Sequence, residues 1–220
     1  MKTTVFLFIC GLLLVSCSKE DSTPVTPTPP APAKKMFGLS EYRFRLDPTY
    51  YKMWSDSVSQ RYGGTTTVNG KTYDILDEGK PTKYLYTSNG EEAGFIYGPG
   101  PLIYDSPMPN LPDSVAFGSA FTLSTQYQWP VAGGTPLTIP MVAQYTLMDT
   151  GSVQVPCGAF VSCAHFAVHF SSVNVGGVPY STDYETWFVK GLSGIKYFVS
   201  GQTNAVTVVR ARVGGRSWGM

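Results

Sequence analysis

The sequence predicts a mainly all-β chain: a single curved antiparallel sheet, a sandwich or a partly closed barrel, with at most a short helix. Three observations point there. Apolar residues recur at period two, asparagine–glycine pairs separate matched runs, and 17 prolines and 23 glycines punctuate 220 residues. Alternation at period two puts one row of side chains on each face of a strand, whereas a helix needs apolar positions every three to four residues. No window of a dozen residues carries a convincing helical stripe.

Taken in order, residues 39–46 alternate Tyr42, Phe44 and Leu46 against Glu41, Arg43 and Arg45, the mark of a half-buried strand. Residues 50–62 read as the one candidate short helix. Asn69-Gly70 then separates 65–68 from 71–76, and an Asn-Gly pair between two such runs signals a tight hairpin because both residues tolerate positive φ. Asn89-Gly90 separates 83–86 from 94–97 in a looser version. Further strands are expected at 115–129, 137–148, 159–170, 184–190, 194–199 and 204–213. Frequent turns between short strands favour a curved sheet, sandwich or barrel.

The chain opens with Lys2, an apolar run from Val5 to Val15, and then Leu14-Val15-Ser16-Cys17. Eleven apolar residues suit the core of a signal peptide and fall short of the roughly 20 that a spanning helix needs. The tetrapeptide resembles the lipobox of bacterial lipoproteins, in which a small residue precedes an obligatory cysteine. That resemblance implies cleavage after Ser16 and a diacylglycerol on the Cys17 sulfur, so that the membrane is a partner through lipid. Two or three acyl chains hold a protein stably where one does so only marginally. Ser18-Lys19-Glu20-Asp21 resembles a surface-export signal of some Gram-negative lipoproteins, and equally suits a solvated tether. The expected address is the bacterial outer membrane, with surface exposure left open.

Prolines 24, 27, 29, 30 and 32 remove backbone donors and hold their neighbours extended, so 17–35 reads as a lipidated cysteine followed by a semi-rigid stalk. The expected organisation is a signal peptide at 1–16, that stalk at 17–35, and one β-rich domain at 36–220. With Lys2 removed, 15 basic and 15 acidic side chains remain, which argues against nucleic acid as partner because such binding needs concentrated positive charge.

Chemistry is sparse. Cys157 and Cys163 are six residues apart, about 20 Å along a straight strand, so a bond between them requires a turn at Pro156-Cys157-Gly158. A Cys157–Cys163 disulfide and two buried thiols remain the alternatives. His165 and His169 share a strand face but stand about 13 Å apart, too far for one zinc, and no metal or other cofactor is expected. Cys163 beside His165 suggests a nucleophile pair, but no orienting carboxylate is legible nearby. Glu91 and Glu92 read as solvated turn residues. No nucleophile elbow, phosphate loop, calcium loop or zinc-protease motif occurs, and no catalytic residue is nominated. Aromatics are the abundant resource, with 14 Tyr, 12 Phe and 4 Trp. Trp54, Trp129 and Trp187, with the tyrosines of 84–104, are candidates to line an apolar cavity or a sugar-stacking platform.

Val155-Pro-Cys-Gly-Ala-Phe160, a strand, and then Tyr184-Glu-Thr-Trp-Phe-Val-Lys-Gly-Leu-Ser-Gly-Ile-Lys196 are similar to the C-terminal half of uncharacterised Gram-negative envelope lipoproteins. Residues 102–118 are similar to their central proline-rich segment. This sequence departs from that pattern at Cys157 and Ser193. The resemblance implies a curved sheet of the lipoprotein-carrier-like type, with Gly191 and Gly194 as turn glycines and no catalytic residues. The function expected is a non-catalytic domain that binds an apolar, glycan or protein ligand. A glycan-directed hydrolase and a structural or adhesive surface subunit are the alternatives.

Overall fold

The computed structural model describes residues 35–98, 100–108 and 111–219. Ser16, Cys17 and the whole of the expected signal peptide and stalk except Lys35 lie outside the described residues.

Two short strands, β1 (Met36–Gly38) and β8 (Ser114–Ala116), form a small antiparallel sheet. The large sheet begins with β2 (Tyr51–Trp54), β3 (Ser59–Val68), β4 (Lys71–Asp77), β5 (Lys83–Tyr86), β6 (Glu92–Tyr97) and β7 (Gly100–Met108). It continues through β9 (Ala120–Trp129), β10 (Leu137–Val155), β11 (Gly158–Val173), β12 (Pro179–Val189), β13 (Ser193–Val199) and β14 (Val206–Val213). These twelve strands pair with their neighbours, and β14 pairs with both β2 and β13, closing them into an antiparallel barrel. The last strand, β15 (Arg216–Trp218), adds to β14 beyond the point where β13 leaves it. The all-β class is therefore as the alternation predicts, and of the three architectures it leaves open the chain takes the barrel. Closure leaves no free sheet edge along the paired stretches.

Several expected elements are recovered with local causes. Asn69 and Gly70 both have positive φ, 50° and 75°, which makes the two-residue turn that matches the right-handed twist of β3 and β4. The longest hairpin, β10–β11, runs in register from Met141 opposite Ser172 to Val155 opposite Gly158, with two bulges on the way. Its two-residue tip, Pro156-Cys157, is tied to β14 where the Cys157 amide donates to the Val208 carbonyl at 3.3 Å.

Two expectations are corrected. Residues 50–62 form no helix: β2 and β3 run through them, joined by a turn in which the Val58 amide donates to the Asp56 carboxylate. Tyr50, Lys52 and Trp54 are spaced by two, and pairing with β14 and β3 settles the strand. Residues 39–46 form no strand either. A single 3-10 turn spans Ser40–Tyr42, and the chain beyond it is extended without a pairing partner. Its alternation is still real, because Tyr42 and Phe44 are buried between the outward Arg43 and Arg45.

That segment and the small sheet fill one part of the barrel. Leu39, Tyr42, Leu111 and Val115 pack on Leu147, Ala164 and Phe166 of β10 and β11. Arg43 holds the plug by donating to the Leu111 carbonyl at 3.0 Å and pairing with Asp113 at 2.9 Å. The Gly191 amide donates to the Glu41 carbonyl, and Lys190 pairs with Glu41 at 2.5 Å. A second cluster joins Phe44, Tyr50, Leu76 and Tyr86 to Cys157, Leu192, Ile195 and Val208.

Candidate functional site

Which face of each strand looks inward follows from contacts between strands that are not neighbours in the ring. The charge of Glu92 on β6 acts on Tyr145 of β10 and Tyr184 of β12, so these three side chains project into the interior. Tyr104 donates its hydroxyl to Glu92 at 2.6 Å and Tyr86 donates to it at 3.4 Å. Burial raises the Glu92 carboxyl above the usual carboxylate range, the two tyrosine hydrogen bonds pull it part of the way back, and the charge of Glu78 pushes it up again. Burial likewise pushes the Tyr86, Tyr104, Tyr145 and Tyr184 hydroxyls up, so they remain neutral donors at ordinary pH.

Beside this network lies a cavity of about 410 Å³, bounded by β2–β5 on one side and β12 and β13 on the other. Tyr50, Trp54, Tyr86, Tyr184, Phe188 and Tyr197 supply most of its wall. Its volume falls within the range of about 300–1,000 Å³ typical of small-molecule pockets, which are mostly apolar with a few placed polar groups. The placed polar group here is Lys52, only 2% exposed. Its ammonium donates to the Leu192 carbonyl at 2.9 Å and the Gly194 carbonyl at 2.8 Å, and sits 5.4 Å from the Trp54 ring and 5.7 Å from the Tyr50 ring. Burial depresses Lys52 to about 7, with a small opposing contribution from Cys157. Tyr50 donates to Gln60, whose amide donates to Glu78, so the polar edge of the cavity is chained together.

Phe44 lines this cavity and also a larger cleft of about 890 Å³ at the plugged end; both open to solvent, the smaller one the more widely. It packs against Tyr86 and Tyr50, with ring centroids 4.6 and 5.2 Å apart. Arg45 and Arg216 line the cleft, and neither has a carboxylate partner among the described residues. A glycine is required at its rim: Gly90 has φ of 78°, and a Cβ there would lie 2.1 Å from the Phe44 carbonyl oxygen.

Of the residues singled out from sequence, Trp54, Tyr84 and Trp187 pack against the cluster that holds Tyr86, and Trp129 against the one that holds Tyr104; Trp187 also lies under His165, and Trp129 packs against Tyr97. His165 lies 3.3 Å from the Asp149 carboxylate and 3.2 Å from that of Glu185, and its ring stacks on Trp187 at 4.2 Å. Cross-strand neighbours thus supply the carboxylates that one strand read alone does not reveal. His169 has its own partner, Asp183, at 2.7 Å. No group of three or more His, Cys, Asp or Glu among the described residues is placed to hold a metal.

Cys157 and Cys163 are free, buried thiols. Cys163 donates to the Phe160 carbonyl at 3.6 Å and burial pushes its thiol up, opposite to what a nucleophile beside His165 requires. Gly191 is a positive-φ turn glycine, as the resemblance implies, whereas Gly194 has no such φ and lies within β13, where its carbonyl accepts from Lys52. Glu92 and Lys52 are the site residues that sequence reading passed over. The signal for Lys52 was its period-two spacing from Tyr50 and Trp54.

No family model matches the chain, and no curated protein matches it. Among solved structures, the chain is similar to a Bacteroides fragilis protein taken to be exported and described as having a YmcC-like fold. The two are 9% identical, with a TM-score of 0.36, over 77% of this chain and 98% of that one. It is also similar to a Parabacteroides distasonis protein taken to be a lipoprotein. That pair is 8% identical, with a TM-score of 0.40, over 77% of this chain and 97% of the other.

Proposed function

We propose that the chain is a lipid-anchored envelope lipoprotein whose barrel binds a small ligand in its interior without chemical conversion. The anchor is the lipid on Cys17, following a signal peptide that ends at Ser16, and the proline-rich segment spaces the barrel from the outer membrane. The observation that supports ligand binding is the interior cavity, whose wall is rich in aromatic residues and whose single lysine has no carboxylate partner among the described residues. A barrel of this size needs large residues to fill it. Here inward tyrosines and a tryptophan instead border a space, and the tyrosine hydroxyls are held by Gln60, Glu92, Asp56 and Tyr145, which leaves ring faces toward it.

Two experiments test the two halves. Cys17→Ser should leave an unlipidated precursor that no longer fractionates with membranes; unchanged retention rules out the anchor. For the barrel, residues 34–220 form a compact unit by themselves, and a chain starting at Ser18 contains that unit whole. Native mass spectrometry of that chain should show a small-molecule adduct that is lost on denaturation. A bare mass, together with no saturable uptake of the neutral fluorophore N-phenyl-1-naphthylamine, overturns the binding reading.

A further inference from the structure

We propose that Lys52 is the anchoring cation for an organic carboxylate held in the interior cavity, a ligand with an acidic head and an apolar body. This rests on the reading that the cavity binds a small ligand, and names the class of that ligand.

The first argument is charge. Lys52 is nearly fully buried and no carboxylate of the described residues lies within ion-pair distance of it. A buried charge is costly unless it is paired as well as hydrogen-bonded. The two backbone carbonyls satisfy two of its three N–H positions, and no third acceptor is found among the described residues. The missing component is an anion, and Lys52 borders a space in which one fits.

The second argument is shape and number. One ammonium with one open donor position suits a carboxylate. A phosphate calls for several donors or an arginine fork, and no arginine lines the cavity. The wall around Lys52 is Tyr50, Trp54, Phe188 and Tyr197, which accepts an apolar body and offers no second charge.

The titratable groups facing Lys52 are Tyr50 beside it, Tyr86 from β5, Tyr184 from β12, Tyr197 from β13 and Cys157 from the β10–β11 tip. Three carboxylates face them from behind: Glu78 at the end of β4 through Tyr50 and Tyr197, Asp56 through Tyr197, and Glu92 of β6 through Tyr86 and Tyr184. Burial pushes the four hydroxyls and the thiol up, so they stay neutral between pH 6 and 8. Lys52 is the group whose protonation a bound carboxylate favours, and binding at pH 8 should therefore take up a proton.

The test uses the chain from Ser18, loaded with N-phenyl-1-naphthylamine, and displacement by decanoate or decan-1-ol. At pH 6 decanoate should displace the probe at least tenfold more tightly than decan-1-ol. That preference should shrink several-fold at pH 8 and fall to near unity in Lys52→Met. If the probe binds and acid and alcohol compete equally at pH 6, the cavity reading stands and the role of Lys52 is refuted. If the probe never enters, the cavity reading fails and takes this inference with it. Should Lys52→Met lose its fold by circular dichroism, the wild-type comparison and its pH profile decide alone.

Discussion

Replacing Lys52 by methionine should change how stability depends on pH, in a direction the burial of its ammonium dictates. In the folded protein Lys52 titrates near 7, against 10.5 for a lysine in water. Below pH 7 it is charged in both folded and unfolded chains, and the cost of burying the charge is present in full. Between 7 and 10.5 the unfolded chain holds a proton that the folded chain does not. Unfolding then takes up a proton, and rising pH favours the folded state. Each pH unit in that window is worth about 1.4 kcal/mol for one proton. From pH 7 to 9, wild type should therefore gain about 2 to 3 kcal/mol relative to Lys52→Met. In a domain of this size that corresponds to a relative rise in Tm of roughly 4–12 °C. The comparison is a difference of slopes, so the loss of the hydrogen bonds to Leu192 and Gly194 shifts the variant by a constant and leaves the prediction intact. Urea unfolding at pH 6, 7, 8 and 9 for both proteins reads it out. Parallel profiles would refute the reasoning, because they place Lys52 in water and not in the wall of a cavity.

Other consequences are simpler. Glu92 has its folded carboxyl raised, so stability is greatest below its unfolded value and is lost as pH rises through the folded one. Glu92→Gln should flatten that fall above the ordinary carboxylate range by up to about 1.4 kcal/mol per pH unit, and an unchanged slope in urea melts counts against the interior placement. Phe166 is fully buried where the plug meets β10 and β11, and Phe166→Ala should cost about 3–5 kcal/mol in the same assay. Gly94 has φ of 149°, and a Cβ there would stand 2.2 Å from the Leu102 carbonyl oxygen across the ladder. Gly94→Ala should therefore lose about 2 kcal/mol or more and expose the β6 and β7 amides to hydrogen exchange.

The barrel was legible in proportion to how local its determinants are. Asn69-Gly70 and the alternating runs of β10 to β14 carry their signal within a few residues, and the structure follows them closely. Residues 39–46 show what alternation alone does not decide: Tyr42 and Phe44 are buried and Arg43 and Arg45 face out, as in a strand, yet no partner strand comes alongside. The helix expected at 50–62 failed because the pairing of β2 with β14 joins positions more than 150 residues apart. The interior site was mostly hidden for the same reason. Glu92 looked like a turn carboxylate because its donor Tyr104 lies on another strand. Lys52 carries no local signal of its role because its acceptors lie 140 and 142 residues away. His165 likewise gained Asp149 and Glu185 only through cross-strand neighbours.

The central claim is that the inside of the barrel receives a ligand, and a crystal structure of the chain from Ser18 grown with N-phenyl-1-naphthylamine tests it most directly. The account predicts the probe against Trp54, Tyr184 and Phe188, bordered by Lys52. A probe bound only on the outer face near His165 and Trp187, or an interior closed by repacked tyrosines, would contradict it.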